Sequence, residues 1–155
     1  MSESFIVRPG QGRVLDMGNF GATVLADGPA TSGAFSLLET HGEGHRFGPP
    51  MHIHRDAAEA FYVLEGTYQM YFSDREELAP PGTFVYVPQN TRHTFKVISE
   101  GHARKLNIFA PAAMVGFFEQ LSEAEARGEA TPELLGEIAA RHEMEIVGPV
   151  PDTYL

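Results

Sequence analysis

Residues 48–66 read Gly-Pro-Pro-Met-His-Ile-His-Arg-Asp-Ala-Ala-Glu-Ala-Phe-Tyr-Val-Leu-Glu-Gly. His52 and His54 stand two positions apart, and on a β-strand alternate residues face the same side, so both imidazoles point one way. Glu59 follows a short polar link, residues 55–58, and opens the apolar run of residues 60–64. A hairpin at this link brings Glu59 back beside the two imidazoles. The stretch therefore predicts a group of two histidines and one carboxylate.

A second stretch, residues 82–93, reads Gly-Thr-Phe-Val-Tyr-Val-Pro-Gln-Asn-Thr-Arg-His, and its last residue, His93, begins a later apolar run. Three neutral imidazoles and one carboxylate suit a divalent transition metal, which is Fe, Mn, Ni, Co, Zn or Cu. An exposed histidine pair on an edge strand has the same pattern. Asp56 competes with Glu59 as the oxygen ligand, but we favour Glu59 because it begins a strand, whereas Asp56 suits a turn.

The chain organisation predicts a single all-β domain, residues 1–155, with a barrel over about 10–111. Short runs rich in Val, Phe, Tyr and Leu are separated by turn residues, as in all-β sandwiches and barrels. The predicted strands are Arg13–Met17, Ala22–Ala26, Ala34–Glu39, Ala60–Leu64, Tyr68–Phe72, Phe84–Val87, His93–Val97 and Lys105–Phe109.

Residues 112–145 predict a helical segment, and residues 146–155 predict an extended tail. Met114, Phe117, Phe118 and Leu121 recur at helical spacing. A second helix starts at Thr131-Pro132, since Thr suits the N-cap and Pro the first helical position. We expect the first helix to pack on the barrel exterior or on a dimer partner. Covering the barrel mouth is the alternative.

Composition excludes several classes of chemistry. The chain has no Cys, so it forms no disulfide and no thiolate-ligated centre. A net charge of −10 disfavours nucleic acid and anionic membrane surfaces as partners. The first residues show no signal-peptide pattern, and no apolar run approaches the ~18 residues of a membrane span. We expect a cytoplasmic protein.

The two motifs together resemble those of the cupin superfamily. The first has the spacing His-x-His, four residues, Glu, six residues, Gly, from His52 to Gly66. The second has Gly, five residues, Pro, then His, from Gly82 to His93. The resemblance implies a double-stranded β-helix, or jelly-roll barrel, with one divalent metal bound by His52, His54, Glu59 and His93.

Three positions depart from the family pattern without removing a ligand. Gly48 stands closer to His52 than the motif's first Gly normally does, Asn90 replaces a usual Gly, and Val97 a frequent Asn. Asn is the non-Gly residue that best tolerates positive φ, so Asn90 keeps the turn plausible.

Within cupins, the flanking sequence is similar to single-domain relatives of quercetin 2,3-dioxygenase. The features are Gly-Pro-Pro before His52, residues 59–66, and residues 107–111 leading into 116–121. This similarity implies a dioxygenase that cleaves an aromatic or enolisable phenolic substrate with O₂. Glu59 is then the catalytic residue that accepts the substrate proton. Ligand and base are competing roles for one carboxylate, so Glu59 would need to loosen from the metal to act as the base.

Strand alternation predicts which side chains line the substrate pocket. If Glu59 points inward, so do Phe61 and Val63, and if His93 does, so do Phe95 and Val97. Plain core packing explains each of these positions equally well, because small barrels are filled by side chains. The predicted substrate contacts are Phe35, Phe61, Met70, Phe95 and Phe109, and Leu37 is a further candidate for the lining.

Two other functions fit the same ligand set. The first is an isomerase or decarboxylase of a small organic acid, for which Arg46, Arg55 and Arg92 are the candidate cations. The second is a non-catalytic cupin in which the metal or a bound ligand has no turnover. We also expect a homodimer, because strand edges in small barrels are often covered, with residues 4–26 as the candidate exchanged segment.

Overall fold

The computed structural model describes residues 2–149, which form eleven strands and two C-terminal helices. The predicted all-β class with C-terminal helices is therefore confirmed. The strands are β1 Arg13–Asp16, β2 Gly21–Ala26, β3 Ser36–Glu43, β4 Met51–His54, β5 Ala58–Glu65, β6 Tyr68–Phe72, β7 Glu76–Ala79, β8 Phe84–Val87, β9 His93–Val97, β10 Ala103–Ala110 and β11 Met144–Gly148. The helices are α1 Val115–Ala126 and α2 Pro132–Arg141.

The strands form two antiparallel sheets. One has six strands in the order β1-β2-β3-β10-β5-β8, and the other has five in the order β11-β4-β9-β6-β7. Inner positions of both sheets meet in a core, as in other sandwich-like barrels. One core cluster, which includes Phe61, Tyr68 and Phe95, lies between the sheets, and a second includes residues of α1 and α2.

The link between β4 and β5 is not the hairpin that the sequence predicted. β4 belongs to the five-stranded sheet and β5 to the six-stranded sheet, so residues 55–57 carry the chain from one sheet to the other. His52 on β4 pairs in register with His93 on β9. Glu59 on β5 lies opposite them in the other sheet, so the site is built across the barrel interior.

The inward face of β3 is shifted by one residue from the prediction. Ser36, Leu38 and Thr40 are buried, whereas Phe35 is 38% exposed and Leu37 is half-buried. A shift of one residue exchanges the two faces of a strand. The inner face carries polar side chains because their hydrogen bonds are made inside the protein. The Ser36 hydroxyl, for example, donates a 2.6 Å hydrogen bond to the Ala113 carbonyl. The apolar pattern alone therefore selected the wrong face.

The C-terminal region differs from the prediction in its boundaries. The Thr131 side chain caps α2 by accepting from the Leu134 amide, as expected. The helical segment ends at Arg141, not at residue 145, and Met144 already begins β11, which pairs with β4. The predicted tail overlaps β11 as far as residue 148, and its residues 150–155 lie outside the described part of the chain. Over residues 2–149, neither helix has the length and apolar character needed to cross a bilayer.

The close packing at Gly48 provides a test of the fold. A Cβ at residue 48 would collide with the backbone carbonyl of Phe95 on β9. We expect Gly48→Ala to lower the free energy of unfolding by about 1–3 kcal/mol, as overpacking does. Gly136, within α2, has open space around it, so Gly136→Ala should raise stability by about 0.5–1 kcal/mol. Urea unfolding followed by circular dichroism measures both, and equal midpoints for the two variants would contradict this packing.

Candidate metal centre

The four side chains predicted as ligands lie together in the barrel interior. One nitrogen or oxygen atom from each of His52, His54, Glu59 and His93 lies within 4.8 Å of the others. All four residues are buried, with exposed fractions of 1–6%. Asp56, the rival carboxylate, is exposed and stands outside this group.

Backbone carbonyls fix the orientation of two of the imidazoles. Nδ1 of His52 lies 2.7 Å from the Pro50 carbonyl oxygen, and Nδ1 of His93 lies 2.9 Å from that of Thr91. A carbonyl oxygen only accepts hydrogen bonds, so each Nδ1 carries the proton and donates it. In the neutral rings, Nε2 then presents a lone pair toward the centre. This arrangement is typical of histidines that bind a metal.

The Glu59 carboxylate lies close to the Nε2 atoms of His93 and His54. Its Oε1 lies 2.7 Å from Nε2 of His93 and 3.2 Å from Nε2 of His54. A carboxylate oxygen and a neutral Nε2 are both acceptors, so they stay this close only with a cation or a proton between them.

The surroundings of His54 favour a metal ion over a shared proton as the positive charge between these groups. Neither of its ring nitrogens has a hydrogen-bond partner, although both are buried. A single shared proton satisfies Glu59 and His93 but leaves His54 without a partner, at a cost of about 1–3 kcal/mol. A divalent metal accepts all four donors at once. The residues present therefore fit a transition-metal ion.

The interior also holds the ligands in the protonation states that a metal requires. Burial, followed by the neighbouring His93 and His54, lowers the pKa of His52 to about 3. Burial on its own raises the pKa of Glu59, but His54 at 3.2 Å and His93 at 2.7 Å outweigh it and hold that pKa well below its usual range. His52 is thus neutral and Glu59 ionised at neutral pH.

A cavity of about 720 Å³ opens onto the metal centre. Three of the five predicted substrate contacts, Phe61, Phe95 and Phe109, line this cavity. The other two do not: Phe35 is on the outer side of the barrel, and Met70 is packed in the core cluster between the sheets. Met70 is 3% exposed and contacts other core side chains because it follows the inward face of β6.

The helices contribute to the same cavity. Met114, Phe117, Phe118 and Leu121 line it, together with Leu134, Leu135 and Ile138 of α2. α1 therefore covers the opening of the barrel, which is the alternative that the sequence analysis left open. The apolar stripe of the helix covers an apolar opening, which removes both surfaces from water.

The sequence analysis missed several polar cavity residues, among them Thr40, Glu43, Lys105 and Asn107. Asn107 and Lys105 are two and four positions before Phe109 on β10, so alternation from Phe109 would have placed both inside. Thr40 and Glu43 are three apart on β3, and the positive φ of 70° at the intervening Gly42 breaks the alternation there.

Lys105 and Glu43 form a buried ion pair. Nζ of Lys105 lies 3.0 Å from both carboxylate oxygens, and the two residues are 2% and 1% exposed. Burial lowers the pKa of Lys105 and Glu43 opposes that shift. Burial and the same Glu43 carboxylate raise the pKa of Tyr68, whose hydroxyl therefore keeps its proton and donates it to Glu43 at 2.6 Å.

Metal content tests the role of Glu59. We expect Glu59→Gln to lower the affinity for the metal about tenfold or more, because it replaces an anionic ligand with a neutral amide. Asp56→Asn is the matched control, since it removes an exposed carboxylate three residues away and should leave metal content unchanged. Elemental analysis after dialysis against a weak chelator measures both variants. Full retention of metal by Glu59→Gln would show that Glu59 is not a ligand.

Known proteins match this chain in sequence and in fold. Residues 39–109 match the Cupin_2 family model, a cupin domain, and this range contains all four side chains of the metal centre. Quercetin 2,3-dioxygenase of Bacillus subtilis is 30% identical over 96 residues, which cover 61% of this chain and 28% of that protein. The chain thus spans well under half the length of this relative.

Solved structures show the same fold at low sequence identity. The polyketide cyclase RemF from Streptomyces resistomycificus superposes with a TM-score of 0.59 and 19% identity, over 84% of this chain and 96% of that one. A predicted oxalate decarboxylase from Thermotoga maritima superposes with a TM-score of 0.62 and 13% identity, over 69% of this chain and 99% of that one. With this fold, both sequence motifs and a buried group of three histidines and one glutamate, residues 39–109 form a cupin domain.

Proposed function

We propose that this protein is a metal-dependent dioxygenase of the quercetin 2,3-dioxygenase type, which cleaves an aromatic or enolisable phenolic substrate with O₂. The observation that carries the proposal is the convergence of His52, His54, Glu59 and His93 on one point at the end of a cavity rich in aromatic side chains. The likeness to the Bacillus subtilis enzyme supports the reaction type.

The four converging side chains would hold the ion, and the metal, when bound, supplies Lewis-acid polarisation of a substrate oxygen. Three neutral imidazoles and one carboxylate contribute a single negative charge, so a divalent ion keeps a net positive charge. That charge favours a deprotonated substrate hydroxyl close to the centre.

Glu59 is the proposed proton acceptor. Both short contacts of its carboxylate involve Oε1, and within residues 2–149 no hydrogen bond is donated to Oε2. Glu59 also lines the cavity. One oxygen can therefore face the imidazoles while the other accepts the proton of a substrate hydroxyl within hydrogen-bond reach.

The character of the cavity supports a flat aromatic substrate. Its volume lies in the range of small-molecule sites, and seven phenylalanines line it: Phe20, Phe47, Phe61, Phe95, Phe109, Phe117 and Phe118. Arg46, Arg55 and Arg92, the candidate cations for an organic acid, are exposed and do not line it. Aromatic rings pack well against such walls, whereas a small acid would meet there a Lys105 whose charge Glu43 already neutralises.

Oxygen uptake tests the proposal. Protein reconstituted separately with each candidate metal should consume oxygen with a flavonol, and Glu59→Gln should lower turnover about 100-fold or more. Asp56→Asn should retain full activity. Turnover of a small keto or hydroxy acid without oxygen would instead indicate an isomerase or decarboxylase. A metal that resists chelation, with no turnover of either substrate, would indicate a non-catalytic cupin.

A homodimer is also part of the proposal, and an exposed apolar face supports it. Tyr62 on β5 and Phe84 and Tyr86 on the edge strand β8 are 41%, 60% and 59% exposed. Exposed apolar residues beside an open strand edge are typical of an interface. The predicted exchange of residues 4–26 stays a prediction, since β1 and β2 pair within one chain here. The cytoplasmic location likewise stays a prediction.

Solution mass tests the dimer. Light scattering on the purified protein should give twice the mass of the chain, and Phe84→Lys combined with Tyr86→Lys should halve it by placing charges in the interface. Leu78→Lys on β7 is the control, because Leu78 is equally exposed, at 59%, but lies at the edge of the other sheet. A monomeric mass for the unmodified protein at high concentration would refute the dimer.

A further inference from the structure

A second polar group faces the same cavity as the metal centre and belongs to different strands. It consists of Thr40 and Glu43 on β3 and of Lys105 and Asn107 on β10, and all four are buried and line the cavity. Thr40 and Lys105 are direct neighbours in the strand register. We call these four residues the polar pole.

Hydrogen bonds within the pole use every donor of Lys105. Its three N–H groups reach Oγ1 of Thr40 at 2.9 Å and the two oxygens of Glu43 at 3.0 Å each. The Thr40 hydroxyl accepts from Lys105 and from the Asn107 amide, so it donates to Oε1 of Glu43, at 3.1 Å. Lys105 therefore has no donor left for a ligand and acts by fixing Glu43.

The remaining hydrogen-bonding capacity lies on Glu43 and Asn107. Oε1 of Glu43 accepts three bonds, from Tyr68, Thr40 and Lys105, whereas within residues 2–149 Oε2 accepts only from Lys105. Asn107 uses one N–H on Thr40 and keeps its second. The pole thus offers two acceptors, Oε2 of Glu43 and Oδ1 of Asn107, and one donor, the second N–H of Asn107, and its two charges cancel.

We propose that the polar pole is a hydroxyl-binding subsite, which selects neutral ligands that carry a hydroxyl group and rejects ligands that carry a carboxylate at that point. A hydroxyl donates to Glu43 and accepts from Asn107, so it satisfies both open groups. A carboxylate can only accept, and it meets the anionic oxygen of Glu43. Lys105 and Thr40 are positioning residues that hold Glu43 in place.

The position of the pole sets the shape of the ligand. This step rests on the proposed function, since it places the other end of the ligand at the metal centre. Phe109 pairs in register with Glu59, and Lys105 is four residues earlier on β10, about 13 Å along the strand. The ring of Phe95, 4.1 Å from Nζ of Lys105, lines the cavity between them. An elongated aromatic molecule with hydroxyl groups at both ends meets these conditions.

Three probes test the subsite in protein loaded with zinc, which has no redox chemistry of its own. The first is 3-hydroxyflavone, the second its 3′,4′-dihydroxy derivative and the third its 4′-carboxy derivative. We expect calorimetry to show that the dihydroxy probe binds about tenfold tighter than the unsubstituted one, and the carboxy probe about tenfold weaker.

Variants of the pole should change this order. Glu43→Gln leaves the Lys105 charge unbalanced, so the carboxy probe should gain affinity about tenfold, and adding Lys105→Met should remove that gain. Asn107→Ala leaves the ion pair intact and should remove the advantage of the dihydroxy probe, so it provides the test if Glu43→Gln does not fold. Glu39→Gln is the matched control, because Glu39 is on the same strand but pairs with Arg104 outside the cavity.

Three outcomes would overturn the subsite. Equal binding of the three probes, or an order that neither Glu43→Gln nor Asn107→Ala changes, would show that the pole does not contact the ligand. Failure of every probe to bind the folded protein would overturn the subsite together with the phenolic substrate class. Oxygen uptake is measured separately with the redox metals, so the proposed dioxygenase activity and the proposed subsite are tested independently. Either proposal can be refuted while the other is confirmed.

Discussion

Electrostatic repulsion among four buried groups is the constraint on which this site depends. Three imidazole nitrogens and a carboxylate oxygen face one another inside a barrel, where all four residues are buried. In such surroundings, lone pairs this close are stable only around a positive charge. Pro50 and Thr91 strengthen the constraint, because their carbonyls hold the ring protons of His52 and His93 on the far side of each ring.

The two-sheet architecture creates this convergence. Histidines from β4 and β9 belong to one sheet and the glutamate from β5 to the other, so the centre forms only when the sheets close on each other. A metal bound here would link the two layers, and its binding free energy would add to that of folding. Fold stability and metal affinity would then be coupled.

The cavity combines two polar ends with aromatic walls. The metal centre supplies a charged end, and the polar pole of Thr40, Glu43, Lys105 and Asn107 supplies a neutral end whose hydrogen bonds are largely satisfied internally. Phenylalanines from the strands and from α1 line this cavity. Such a site recognises a ligand by the spacing of its polar groups and by its flatness.

The sequence alone determined the residues of the centre and the fold class, because the spacing of His52, His54 and Glu59 and the pattern of short apolar runs are local signals. It also anticipated the positive φ of Asn90, which is 67°, and the cap at Thr131. It failed where the decision was not local. The face of β3, and hence Phe35, depended on partners such as Ala113 that are distant in the chain. Tertiary structure alone decided three features: the crossing from β4 to β5, the position of α1 over the cavity and the pairing of Lys105 with Glu43. Each depends on contacts between segments that are distant in the sequence, and no local pattern encodes such contacts.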